Sequence, residues 1–159
     1  MQTETLGGEL SVRWMTRNDL DDVLAIDSQS FLHPWTEKDL IDVLRNRNVI
    51  SSVALKGKER RVVGFMVYGL HKKSRFDILR LAVHPDHRFQ GVGRKLIDDL
   101  AGKFSFGMRN KIRADVTETN LDAQLWLQSL GFICESVLYG EPCGEDVYRM
   151  IYRKEWGDL

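Results

Sequence analysis

A chain of 159 residues, 43% hydrophobic and 29% charged, is long enough to bury the core of one domain and too ordinary in composition for a fibrous or disordered protein. Its 23 basic and 23 acidic side chains cancel, which excludes a general nucleic-acid or anionic-membrane surface, and no apolar run approaches the length of a bilayer span. The two cysteines, Cys134 and Cys143, and the four histidines lack metal-ligand spacing, so the expectation is free thiols, no metal, and a reducing compartment.

Taken in chain order, residues 10–15 alternate and predict a first strand. Thr16, with Asp19 three residues on, predicts a capped helix that places Leu20, Val23, Leu24 and Ala25 on one face and ends near Ser30. Phe31-Leu32-His33-Pro34-Trp35 reads as a loop, after which Thr36 and Asp39 repeat the capping pattern before the apolar stripe Leu40, Ile41, Val43, Leu44. Residues 49–55 and 61–70 predict a hairpin around a turn at 56–59. Residues 76–83 predict a central strand, 90–103 a helix with Leu96, Ile97, Leu100 and Ala101 inward, and 111–117 a fifth strand. A helix over 121–130 is stopped by Gly131, and residues 132–139 and 146–152 predict a final antiparallel pair. Residues 1–9 are polar and carry no signal-peptide core, so a cytoplasmic, single-domain protein over residues 1–159 is expected.

The most informative stretch joins the central strand to the helix after it: Leu79-Arg80-Leu81-Ala82-Val83-His84-Pro85-Asp86-His87-Arg88-Phe89-Gln90-Gly91-Val92-Gly93-Arg94-Lys95-Leu96-Ile97. Glycines admit a ligand close to the backbone, and the unpaired amides and dipole of a helix start favour an anion there. Arg88 adds a charge-assisted donor. A Walker loop is absent, and a Rossmann fingerprint fails because residue 96 is Leu rather than Gly. The stretch therefore reads as a diphosphate cradle, against the plain alternative of a strand–turn–helix with an incidental basic loop.

Arg88-x-x-Gly91-x-Gly93 after a Leu-Ala-Val-His-Pro strand end resembles the coenzyme A pyrophosphate loop of the GNAT N-acetyltransferase superfamily. The element order β-α-α-β-β-β-α-β-α-β-β is also that of the GNAT fold. Three further segments narrow the resemblance to its RimI branch, the bacterial ribosomal-protein alanine N-acetyltransferases: Phe31 to Thr36, Asn120 to Ala123 with Leu130-Gly131-Phe132, and Gly144-Glu145-Asp146-Val147 with Met150. The resemblance implies an α/β (α+β) GNAT fold, a mixed, mostly antiparallel seven-stranded sheet flanked by four helices. It also implies acetyl-CoA as co-substrate, held by Leu81, Ala82, Val83, Arg88, Phe89, Gln90, Gly91, Val92, Gly93, Arg94 and Asn120. Asn120 has a second reading as the N-cap of the helix that follows.

Acetyl transfer to an amine needs a proton acceptor, an oxyanion donor and a fate for the leaving thiolate. The family carries a catalytic glutamate five residues before its Asn, which here is Asp115. Strand parity puts Lys111, Arg113, Asp115 and Thr117 on one face, opposite Ile112, Ala114 and Val116. Asp115 is thus either the base, acting through water, or a solvated carboxylate paired with a basic neighbour. The family's acid, a tyrosine seven residues after the Asn, is replaced by Leu127. Tyr139 is the substitute acid or a surface aromatic. The oxyanion donor is expected as a backbone N–H near Val83, which requires the fourth and fifth strands to part there. His33, Pro34 and Trp35 form one wall of a peptide groove, or Trp35 packs as a hydrophobic staple.

The resemblance implies acetylation of a protein or peptide N-terminal α-amine, such as a ribosomal protein's, by a monomer or homodimer with no nucleic-acid or membrane partner. Two alternatives stay open: a GNAT enzyme for a small-molecule amine, and a non-catalytic acyl-CoA-binding module, which Leu127 favours.

Overall fold

The computed structural model describes residues 8–105, 108–140 and 144–153. Cys143, expected as a free thiol, lies outside the described residues, as does the polar start over residues 1–7. The strands are β1 (Leu10–Trp14), β2 (Val49–Lys56), β3 (Arg61–Gly69), β4 (Phe76–Val83), β5 (Lys111–Thr117), β6 (Ile133–Leu138) and β7 (Val147–Arg153). The helices are α1 (Leu20–Ser30), α2 (Glu37–Arg45), α3 (Val92–Ala101) and α4 (Leu121–Ser129). The strands form a seven-stranded mixed sheet in the order β1-β2-β3-β4-β5-β7-β6. The β4–β5 pairing is parallel, and the pairs β1–β2, β2–β3, β5–β7 and β6–β7 are antiparallel. Among the described residues no helix is long and apolar enough to cross a membrane.

The chain folds into two compact units. The first comprises the residues up to Gly69 together with Leu79–Asp99. Its core brings Leu20, Val23 and Ile26 of α1 and Leu40 of α2 against Val53, Leu55, Phe65 and Val67 of the hairpin. Gly64 sits under the start of α3: a Cβ there would lie 2.8 Å from the Val92 side chain and 3.1 Å from the Ala82 carbonyl oxygen. Only glycine lets the helix that opens the basic loop approach β3 this closely. In the second unit, Leu70–Ile78 and the residues from Leu100 onward, β5 pairs with β7 from Lys111↔Arg153 to Thr117↔Val147. There β4 pairs with β5 at Phe76↔Ile112 and Asp77↔Arg113. Gly131 ends α4 at φ +104°, with the amides of Gly131 and Phe132 donating back to Gln128 and Leu127.

Two helices differ in their bounds from the sequence reading, and one of them also in its buried face. The helix expected to start after Thr16 begins as a 3-10 turn, Arg17–Asp19, and α1 starts at Leu20. In that turn the Asp19 carboxylate accepts from the Thr16 backbone N–H at 2.8 Å and from both terminal nitrogens of Arg13 at 2.7 and 3.0 Å. The face of α1 is also shifted: Ala25 is exposed, and Ile26 and Asp27 are buried in its stead. The helix expected over 90–103 spans Val92–Ala101, because Gly91, at φ +83°, is the turn residue before it.

Burial opposes ionisation of Asp19, but the hydrogen bonds and charge of Arg13 and the Thr16 amide outweigh it and hold the carboxyl below its ordinary value of 3.8. A lowered folded-state value contributes stability that is whole above 3.8 and is lost as pH falls through the lower folded value. The stability gap between wild type and Asp19→Asn, read from urea melts, is expected to be constant from about pH 7 to about pH 5 and to shrink below about pH 4. An equal gap at neutral pH and at about pH 3 would refute this account.

Candidate active site

The first unit carries the basic loop. β4 ends in three buried residues, Leu81, Ala82 and Val83. The His84 amide donates to the Val63 carbonyl at 2.8 Å, and Pro85–His87 make one 3-10 turn whose Asp86 amide donates to His84 Nδ1 at 3.0 Å. Arg88 then folds back: its Nε donates to the Val83 carbonyl at 3.1 Å and its Nη2 to Ser30 Oγ at 3.3 Å. The guanidinium is thus tied to the end of β4 and to the last turn of α1.

The next residues present themselves to solvent. Phe89 is fully exposed and holds φ +63°, a conformation that costs a bulky side chain roughly 1–2 kcal/mol. Gln90 accepts a hydrogen bond from Lys56 Nζ through Oε1. Gly91 holds φ +83° with no atom within 4 Å of where a Cβ would stand. Its carbonyl accepts from the Lys95 amide at 2.9 Å, the first turn of α3. The Val92 and Gly93 amides precede that bond, so they belong to the helix start whose N–H groups have no intrahelical acceptor. Burial, then the nearby charges of Lys56, His84 and Arg61, hold His87 below its ordinary 6.5 despite a hydrogen bond with Gln90. At neutral pH His87 therefore adds little positive charge to the loop. An anionic diphosphate fits this loop: open space over a glycine, helix-start amides, and fixed positive charge.

The segment before α2 also belongs to this unit. Trp35 is half-buried against the core, while Leu32, His33 and Pro34 are exposed. Thr36 and Asp39 form the expected capping box: the Asp39 amide donates to Thr36 Oγ1 at 3.1 Å and the Thr36 amide to Asp39 Oδ2 at 2.9 Å. Hydrogen bonds from the Thr36 amide and hydroxyl lower the Asp39 carboxyl from its ordinary value. An element that spacing did not reveal holds the segment in place. Asp27, 1% exposed, pairs with Arg80 of β4, whose guanidinium stacks 3.9 Å from the Phe31 ring centroid and 4.6 Å from that of Trp35. A helix carboxylate and a strand arginine 53 positions apart carry no local signal in the sequence.

The remaining candidates lie in the second unit. Asp115 is exposed, with Nε of Arg113 at 3.6 Å and Nε of Arg149 at 3.8 Å. It closes a row of alternating charge in which Asp77 meets Arg75 at 2.6 Å and Arg113 at 3.6 Å. The alternation of β5 is as expected, with Ile112, Ala114 and Val116 buried. Asn120 Oδ1 accepts from the Ala123 amide at 3.2 Å, so its N-cap role is real. Leu127 is buried, and Tyr139, just past β6, is 79% exposed. The acidic pair of the Gly144–Val147 segment is engaged locally: Glu145 accepts from Thr119 Oγ1 at 2.5 Å and Asp146 from the Gly140 amide at 3.0 Å. Among the described residues no three His, Cys, Asp or Glu side chains cluster as metal ligands do.

The acetyltransferase (GNAT) family matches residues 20–132, and the chain belongs to it. It is an N-acetyltransferase, and enzymes of this family draw on acetyl-CoA. No curated protein matches the sequence. Among solved structures, the ribosomal-protein-S18-alanine N-acetyltransferase from Escherichia coli is similar at 19% identity and TM-score 0.74, over 95% of this chain and 99% of that one. Ard1 from Thermoplasma volcanium is similar at 22% identity and TM-score 0.76, over 92% and 98%. A variant of the spermidine N-acetyltransferase SpeG from Vibrio cholerae is similar at 20% identity and TM-score 0.71, over 91% and 93%. At these identities the likeness is one of fold, shared by proteins named for peptide and for polyamine acceptors alike.

At Gly91 space and backbone make opposite demands. Gly91→Ala meets no neighbour but must hold a left-handed φ, so it is expected to lose about 1 kcal/mol in urea denaturation. Wild-type stability in that variant would mean that the loop relaxes to another conformation.

Proposed function

We propose that this chain transfers the acetyl group of acetyl-CoA to the N-terminal α-amine of a protein or peptide, in the manner of the ribosomal-protein alanine N-acetyltransferases that its segments resemble. The observation that carries this reading is the charge state of the Phe31–Trp35 neighbourhood. A polyamine acceptor calls for a pocket with free carboxylates. Here Asp27 is spent on Arg80, Asp39 on the Thr36 amide and Asp42 on Lys38, which leaves the exposed Glu37 at the start of α2 as a single carboxylate, enough for one amine and not for a row of them. What faces outward is Leu32, His33 and Pro34, an apolar and aromatic lip. Such a lip suits the side chains of a peptide better than a chain of ammonium groups.

In this reading the helix-start amides of Val92 and Gly93, with Arg88, hold the diphosphate, and a backbone N–H near Val83 meets the developing oxyanion. The amine nitrogen bonds to the thioester carbonyl carbon, the C–S bond breaks, and its electron pair leaves on sulfur. The proton lost by the amine goes through water to Asp115. A thiolate with a pKa of about 8.5 leaves near neutral pH with little assistance, so burying Leu127 where the family has tyrosine does not stop the reaction. Tyr139 is the exposed hydroxyl that returns a proton to it. The Asn120 carbonyl is occupied by its cap, which leaves the amide nitrogen to donate to the pantetheine arm.

The test is release of CoA thiol from acetyl-CoA with a panel of hexapeptides varied at their first two residues, beside polyamine and drug-amine controls. Turnover confined to peptides, with preference for a small first residue, is the expected result. Arg88→Ala is expected to raise KM for acetyl-CoA about tenfold, and Asp115→Asn to lower kcat about a hundredfold. Turnover of polyamines alone would replace the reading with a small-amine enzyme. Tight acetyl-CoA binding without any turnover would replace it with an acyl-CoA-binding module.

A further inference from the structure

Asp27 is a carboxylate with 1% of its side chain exposed, and such a group persists only when every lone pair finds a donor. Oδ1 accepts from Arg80 Nε at 2.8 Å, and Oδ2 accepts from Arg80 Nη2 at 3.0 Å and from the Trp35 backbone amide at 2.7 Å. Arg80 Nη2 also donates to the His33 carbonyl at 3.1 Å. Its guanidinium carbon lies 3.9 Å from the centre of the Phe31 ring and 4.6 Å from that of the Trp35 ring, the residues that flank the exposed lip. One side chain therefore touches the first, third and fifth residues of the segment. Its own backbone lies in β4, directly before Leu81, Ala82 and Val83 and the phosphate loop.

Charge pairing alone does not account for arginine here. A buried ion pair is seldom more stable than an apolar pair of the same volume, and a long apolar side chain would pack against two rings equally well. What arginine adds is direction. Its planar fork fixes the carboxylate, a backbone carbonyl and two ring planes at once, which neither lysine nor an apolar residue does.

We infer that Arg80 is a positioning residue for the acceptor. By clamping the Phe31–Trp35 segment to the cofactor strand it fixes the lip of Leu32, His33 and Pro34 against which the first residues of the incoming peptide lie. It thereby sets the acceptor KM and the choice of first side chain, and leaves acetyl-CoA binding alone. The inference rests on the peptide-acceptor reading given above.

The experiment compares full-length wild type with Arg80→Lys, which keeps the charge opposite Asp27 and loses the fork. A second variant, Asp27→Asn with Arg80→Met, removes the pair while keeping its volume and serves if the first does not fold. Either folded variant is expected to raise the KM for the best peptide about tenfold and to broaden first-residue preference, with kcat and the KM for acetyl-CoA within about twofold of wild type. Hydrogen exchange with acetyl-CoA bound is expected to quicken at the Trp35 amide and its neighbours and to stay unchanged at the Lys95 amide. An unmoved acceptor KM, equal rises in both KM values, or a fall in kcat alone would each overturn the clamp. The wild-type arm separates the two ideas. Wild type that turns over peptides beside unmoved variants refutes the clamp only, whereas wild type that accepts no peptide refutes the peptide reading and the clamp together.

Discussion

The buried ion pair of Asp27 and Arg80 is the constraint on which the first unit is arranged. Removing a carboxylate from water costs several kcal/mol, and deleting its partner from a buried pair costs roughly 3–5 kcal/mol. The helix that carries Asp27 therefore has one position along β4 at which its charge is met. Because Asp27 also accepts from the Trp35 amide, the same constraint fixes where the chain turns after α1 and where α2 begins. The capping box of Thr36 and Asp39 starts α2 one residue after that anchor.

The last turn of α1 is tied twice. Arg80 reaches it through Asp27, and Arg88 of the phosphate loop reaches it through Ser30 Oγ, itself donating to the Ile26 carbonyl at 2.7 Å. Arg88 bonds the Val83 carbonyl as well, so the loop that follows β4 is fastened to the strand it leaves. The Leu32–Pro34 lip and the Arg88–Gly93 loop, which the proposal gives to acceptor and diphosphate, thus share one helix end as a common support. Groups that meet two different substrates need fixed relative positions, because misplacement by about 1 Å can cost a hundredfold in rate. The left-handed φ of Phe89 fits that demand: a strained residue next to a ligand loop persists where its surroundings over-determine it.

Much of this architecture was legible in the sequence, and what escaped has physical causes. Strand parity in β5, the Thr36–Asp39 box and the Gly131 stop all rest on local rules, and each appears as read. The basic loop was legible because glycine and proline restrict backbone conformation in known ways. The inner face of α1 was misread by one residue step because Asp27 breaks the apolar pattern: a buried charge looks like a solvent-facing one until its partner is known. The Thr16–Asp19 capping box is present as read, and what the sequence did not show is that Asp19 is also gripped by Arg13. Arg80 drew no reading of its own within the central strand. Long-range charge pairs of this sort leave no periodic trace, so the clamp was invisible and its segment was not.

The charge row in the second unit bears on the kind of amine that Asp115 serves in the proposed reaction. Arginines at 3.6 and 3.8 Å stand beyond direct hydrogen-bond length, so the carboxylate keeps its direction without having its lone pairs fully claimed. Carboxylates as a class are weak bases, with ordinary values of about 4. A weak base is adequate for an α-amine, whose pKa of about 7.7–8 leaves a large neutral fraction near pH 8. It is inadequate for a lysine or polyamine nitrogen near 10.4, where a proton must be removed against a gradient of more than two units, about 3 kcal/mol. The enzyme's missing tyrosine tells the same way. With leucine at position 127, the proposed reaction suits an acceptor that arrives largely deprotonated and a thiolate that leaves largely unaided, and the N-terminal amine of the proposal meets the first condition as coenzyme A meets the second.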